Sequence, residues 1–112
     1  MLNKKSKIFL AGHTGLVGSA IFKKLKKLGY QNITVQTHKQ LDLKNQKKVL
    51  KFFRKKKFEF VILAAAKVGG IYANDTYRTE FIYDNLMIQN NVIYSSFLTN
   101  IKNLIFLGSS CI

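Results

Sequence analysis

Ile8-Phe9-Leu10-Ala11-Gly12-His13-Thr14-Gly15-Leu16-Val17-Gly18-Ser19-Ala20-Ile21 reads as a buried strand, a glycine turn and the start of a helix. The apolar run over residues 7–11, closed by glycine, has the length and composition of a strand covered on both faces. Over 16–28, Val17, Ala20, Ile21, Leu25 and Leu28 recur at helical spacing between lysines, and Gly29 is a helix stop. The three glycines have separate tasks in such a turn. Gly12 makes the sharp exit from the strand, Gly15 lets the backbone approach a pyrophosphate, and Gly18 lets the helix pack closely. Amides at the helix start then face the phosphates. Glycines also mark ordinary turns, so the context carries the reading: strand before, helix after and a second strand beyond imply a dinucleotide site.

Outward from that turn, residues 33–37 are rich in β-branched side chains and predict a second strand. Asn45 predicts the cap of a helix with Val49, Leu50, Phe52 and Phe53 on its apolar face, ending near Lys57. Residues 58–66 contain Phe60-Val61-Ile62-Leu63, a third buried strand. A looser stretch, 67–83, carries Gly69-Gly70, and 85–98 repeats the helical pattern through Leu86, Ile88, Val92, Ile93 and Phe97. Residues 104–107 are the fourth strand. Alternation of continuous apolar strands with helices implies an α/β fold with a parallel sheet covered on both faces. The expected architecture is a Rossmann-type doubly wound sheet, N-terminal half, with strand order 3-2-1-4. Ligands of such sheets bind outside the carboxyl ends of the strands, so Ser109, Ser110 and Cys111, which follow the fourth strand, are placed to face a substrate.

Composition narrows the function classes. A chain of 112 residues that is 47% hydrophobic builds one core, and no apolar run approaches the length of a membrane span. The start shows no apolar segment with a cleavage site, so the expected location is cytoplasmic. A single cysteine excludes an internal disulfide framework. The net charge of +14 bluntly suggests nucleic acid or an anionic membrane. The lysines, however, form short dispersed clusters (Lys23-Lys24, Lys26-Lys27, Lys47-Lys48, Lys55-Lys56-Lys57) at the outer faces and ends of predicted helices. They read as solvated surface, with no specific nucleic acid and no membrane as partner. His13 has no metal-ligating neighbours in sequence, and no metal is expected. No acid ends the second strand to hold a ribose hydroxyl; Thr37-His38-Lys39 stands there instead. Lys39 either holds the 2′-phosphate of NADP or is one more surface lysine. Asp42 either receives an adenine amino group or caps the next helix.

Three segments together carry a resemblance: Ala11-Gly12-His13-Thr14-Gly15-Leu16-Val17-Gly18-Ser19-Ala20-Ile21, Ala64-Ala65-Ala66-Lys67-Val68-Gly69-Gly70-Ile71 and Leu107-Gly108-Ser109-Ser110-Cys111-Ile112. In this order they resemble the GDP-L-fucose synthases of the extended short-chain dehydrogenase superfamily, whose glycine turn is likewise spaced G-x-x-G-x-x-G. The neighbourhood of Asn74, Tyr77, Phe81-Ile82-Tyr83 and Asn85 is similar too. The resemblance implies an NADPH-dependent enzyme that epimerises GDP-4-keto-6-deoxy-D-mannose at positions 3 and 5 and reduces it at position 4. By it, Ser109 matches the serine that hydrogen-bonds the reacting oxygen, and Cys111 the acid/base cysteine of the epimerisation. The cofactor would be lined by Gly12, His13, Thr14, Gly15, Leu16, Val17, Gly18, Ala64, Ala65, Leu107, Gly108, Ser109 and Ser110. His38 stands where the family usually has an arginine for the 2′-phosphate, leaving that task to His38 and Lys39.

The family's Tyr in a Y-x-x-x-K motif is not matched: Tyr30, Tyr72, Tyr77, Tyr83 and Tyr94 are not followed by Lys four residues on. Residues 1–112 are therefore expected to be one incomplete NAD(P)-binding domain, lacking the full activity by themselves. The homodimer implied for the whole family is left open for this chain. Another nucleotide-sugar epimerase or dehydratase would share the glycine turn, but Cys111 behind Ser109-Ser110 argues against most of them. A non-catalytic nucleotide-binding module is the remaining alternative.

Overall fold

The computed structural model describes residues 2–64 and 75–107, with the backbone alone at 75–79 and 81. The elements run β1 (Ile8–Ala11), α1 (Leu16–Lys27), β2 (Ile33–Thr34), α2 (Gln46–Lys56), β3 (Phe60–Leu63), α3 (Asp75–Leu98) and β4 (Asn103–Phe106). All ladders are parallel: Ile8 pairs with Ile33 and with Phe60, and Phe60 with Asn103.

Alternation along the strands divides the core into two layers. Phe9, Ala11, Val61 and Leu63 point to one face and pack with Val49 and Phe53 of α2 and Ile88 and Val92 of α3. Ile8, Leu10 and Ile62 point to the other and meet Ile21, Phe22 and Leu25 of α1. Period-two alternation on strands whose residues are all apolar demands cover on both faces. The first layer is anchored by rings: Phe9 lies 5.2 Å from Phe58 and from Phe52, and 5.5 Å from Phe53, centroid to centroid. Such offset and edge contacts add to area burial.

The fold class is as expected, but the strand order is not. The four strands lie β2-β1-β3-β4, so the order 3-2-1-4 is corrected to 2-1-3-4. The reason lies in burial. β2 contributes two half-buried residues, an edge strand, whereas Val61, Ile62 and Leu63 are buried on both faces and need a strand on either side. β3 therefore returns across β1 to its other edge. The two crossovers run in opposite directions, and their common right-handedness sets α1 and α2 on opposite faces.

Element ends follow local chemistry. Asn45 caps α2, its side chain accepting from the Lys48 N–H at 3.1 Å. Gly29, at φ 91°, closes α1. Lys24, Lys26 and Lys27 end α1, and Arg54, Lys55 and Lys56 end α2, where cations complement the helix dipole. The helix predicted over 85–98 begins ten residues earlier, at Asp75, inside the stretch 67–83 read as loose. Its apolar residues lie on two opposite faces, which erases the one-sided stripe that marks most surface helices. Ile88, Val92, Ser95 and Ser96 are buried, while Ile82, Tyr83, Leu86, Ile93, Tyr94 and Phe97 are exposed.

Lys57, just past α2, sits at φ 54°, ψ 61°, its N–H donating to Phe53 O. This left-handed position favours glycine. Lys57→Gly is expected to stabilise the fold by about 0.5–1 kcal/mol, read as a rise in the urea midpoint at constant slope.

Candidate functional site

A cavity of about 270 Å³ opens at the carboxyl ends of β1, β2 and β3. Its walls are Gly12, His13, Thr14 and Gly15 from the glycine turn, Gln36, Thr37 and His38 after β2, the 41–44 segment, Ala64 after β3, and Ile88 of α3. This is where the chain changes direction across the sheet, the crevice in which open α/β sheets bind ligands.

The glycine turn is tightly determined. Gly12 has φ 92°, a left-handed conformation that side chains disfavour. A Cβ built on Gly18 would lie 1.7 Å from Gly12 O and 3.2 Å from His13 Cα, so the buried Gly18 seats α1 directly against the turn. Gly15 differs: its Cβ would meet nothing nearer than Gly12 O at 3.6 Å, and it is exposed. Gly15 is the N-cap of α1 and has no side chain to bond the helix-start amides. No acidic residue stands in the first turn. The open donors and positive dipole end of α1 are thus available to an anion. Leu16 and Val17 do not line the cavity; they are 90% and 55% exposed beside it. Gly18 does not line it either, but packs against the backbone of Gly12 and His13, which do. The His13 ring stands edge-on to Phe22 of α1, 5.9 Å away.

After β2 the chain makes a reciprocal turn. Thr37 N–H donates to Gln40 Oε1 at 2.8 Å, and Gln40 N–H donates to Thr37 Oγ1 at 3.2 Å. This pairing, a capping box in miniature, presents His38 at the rim. His38 Nδ1 lies 3.9 Å from Asp42 Oδ1. Lys39 is exposed on the same turn and does not line the cavity. Asp42 lines the cavity and bonds the Lys44 N–H at 3.0 Å, while Asn45 is the residue that caps α2.

Two strand ends complete the edge. Ala64 N–H donates to Ala11 O at 2.8 Å, and Leu107 N–H donates to Leu63 O at 3.1 Å. Ala64 reaches the cavity; Leu107 packs into the α1-side layer. Ala65, Gly108, Ser109, Ser110 and Cys111 lie outside the described residues.

Gln36, Leu41, Leu43, Lys44 and Ile88 also line the cavity, and sequence reasoning had not singled them out. Their types carry no motif. The one available signal was position, since each follows a strand end or lies on the inner face of a helix. Among the described residues no group of three or more His, Cys, Asp or Glu is arranged to hold a metal ion, and no helix is long and apolar enough to cross a membrane.

Residues 8–112 match the model of the NAD dependent epimerase/dehydratase family. The chain is 57% identical over 112 residues to the putative GDP-L-fucose synthase 2 of Arabidopsis thaliana, covering 100% of this chain and 34% of that protein. It is 45% identical over 108 residues to GDP-L-fucose synthase of Escherichia coli K12, covering 96% and 34%. Among solved structures, the GDP-mannoheptose C4 reductase of Campylobacter jejuni with NADP bound superposes at a TM-score of 0.91 with 48% identity, covering 96% of this chain and 32% of that one. The chain spans about a third of the length of the curated relatives it matches.

Proposed function

This chain belongs to the NAD dependent epimerase/dehydratase family, and from that premise we propose that it supplies the NADPH site of a GDP-L-fucose synthase. The observation that carries the cofactor half of this reading is the glycine turn. Gly18 brings the start of α1 onto the turn, and Gly15 leaves its amides open. That shape and charge fit a pyrophosphate. The cavity beyond takes the adenine and ribose, with His38 and Lys39 on the turn that would meet a 2′-phosphate. The NADP bound to the Campylobacter jejuni reductase supports the choice of cofactor.

The substrate half rests on the likeness to GDP-L-fucose synthases and on Ser109 and Cys111. NADPH held over the glycine turn Gly12 to Gly18 would supply the hydride for reduction at C4 of the sugar. Ser109 holds the C4 oxygen by a hydrogen bond. Cys111, as thiolate, removes protons from the carbons that the keto group acidifies, C3 and C5. Inversion needs a proton returned on the opposite face, and the C4 alkoxide needs a proton of its own; in the enzymes this chain resembles a catalytic histidine and the Y-x-x-x-K tyrosine serve these steps, and residues 1–112 match neither. The family likeness also implies a homodimer, and the exposed stripe Ile82, Tyr83, Leu86, Ile93, Tyr94 and Phe97 along α3 supports that assignment.

A second reading is favoured by the likeness to the GDP-mannoheptose C4 reductase: reduction at C4 without epimerisation. Solvent deuterium separates the two. Residues 1–112 alone are expected to give no GDP-L-fucose from GDP-4-keto-6-deoxymannose and NADPH; fused to the remaining two thirds of the Escherichia coli GDP-L-fucose synthase and assayed in D2O, they are expected to give GDP-L-fucose with deuterium at C3 and C5, read by NMR. A product reduced at C4 but carrying no deuterium at C3 or C5 makes the protein a reductase only.

A further inference from the structure

We propose that Asn91 of α3 is a positioning residue for the cofactor's adenine end, acting through the Leu43 carbonyl. The inference rests on the NADPH reading above. The 41–44 segment forms one wall of the cavity, yet it belongs to no strand ladder. A loop outside the sheet keeps its place only through side-chain anchors and local turns. Leu41 is buried in the α2 layer and Asp42 holds a local turn. The remaining anchors come from α3. Asn91 Nδ2 donates to Leu43 O at 2.9 Å, and Lys44 Nζ lies 4.0 Å from Asp84 Oδ2.

Asp84, Ile88 and Asn91 are four and three residues apart, so they share one helix face. Ile88 lines the cavity itself. Asn91 is only 6% exposed, in a row whose other buried members are Ile88, Val92, Ser95 and Ser96. An amide buried there is unfavourable unless bonded, and its bond also satisfies a carbonyl that has no ladder. The energetics select a donor at position 91 aimed at one acceptor, Leu43 O. Without it the wall made by Asp42 and Leu43 moves away from the adenine site, while the phosphate turn, on β1 and α1, is untouched.

The test compares NADPH with adenosine 2′,5′-bisphosphate, which carries the adenine end alone, on the full chain and on Asn91→Leu. Both probes are expected to bind about tenfold more weakly to the variant, ~1.4 kcal/mol. Amide exchange at Lys44 and Asn45 should quicken while β1 and α1 keep their protection. Should Asn91→Leu not fold, Asn91→Ala, which removes volume without adding carbon branches, is read by the same titrations. Unchanged affinities with a lowered Tm would overturn the proposal, because Asn91 would then serve stability only. A loss for NADPH not shared by adenosine 2′,5′-bisphosphate would overturn it equally. A parent chain that binds neither probe defeats the cofactor reading itself.

Discussion

Gly18→Ala is expected to cost most of the stability of the native fold. The added carbon would lie 1.7 Å from Gly12 O, 2.6 Å from Gly12 C and 3.2 Å from His13 Cα. All three are backbone atoms, so no side chain can rotate aside. Relief requires α1 to move off the turn or Gly12 to leave its conformation at φ 92°, which it holds between the end of β1 and the helix. Moving α1 would open the layer formed by Ile8, Leu10 and Ile62 against Ile21, Phe22 and Leu25. Overpacking against a fixed backbone belongs to the extreme of single-site effects, about 4–5 kcal/mol or more. Domains are stable by about 5–15 kcal/mol in total, so the loss removes nearly all of the stability at the low end of that range and about a third at the high end. Urea unfolding followed by circular dichroism is the check. A variant that unfolds within about 1 kcal/mol of the parent would show that α1 is not seated as described.

The same contact explains why the first third of the fold was legible. A strand that must turn sharply, admit an anion and let a helix touch its backbone can do so only with glycine at particular places, and those glycines are visible in sequence. Asn45 was equally legible, because capping is a local bond to an amide three residues on. Strand order was not legible, since it depends on which edge of β1 is free when β3 forms, a fact of three dimensions. The start of α3 was hidden for another reason. Apolar residues on both its faces leave no single stripe, and Gly69-Gly70 just before it carries the composition of a loop. Asn91 was invisible because its partner, the Leu43 carbonyl, is backbone and carries no residue signature. Ser109 and Cys111 were legible by their place after the fourth strand, and their roles rest on resemblance, as they lie outside the described residues.

Gly15→Asp is expected to separate folding from cofactor binding in the opposite sense to Gly18→Ala. Gly15 is the N-cap of α1 at φ −76°, ψ 173°, extended backbone that any residue adopts. Its Cβ would find ordinary contact at 3.6 Å, and the site is exposed. Aspartate is among the best N-caps: its carboxylate accepts from the first-turn amides and lies at the positive end of the helix dipole. Stability should therefore hold or rise by a few tenths of a kcal/mol. The same carboxylate occupies those amides and sets a negative charge where a pyrophosphate would sit. Two unit charges 4 Å apart repel by about 4 kcal/mol at an effective dielectric of 20, which corresponds to roughly a thousandfold in affinity. NADPH titration by fluorescence, run beside thermal melts, reads both quantities. The expected pair is an unchanged or higher Tm with NADPH binding lost beyond detection. NADPH affinity within threefold of the parent, in a variant that melts normally, would mean that the open end of α1 is not where the phosphates bind. Gly15→Ala controls for shape: it adds a carbon without a charge or a competing acceptor. Its loss of affinity should be much smaller than that of the aspartate variant, because the repulsion, and not the added volume, is the larger effect.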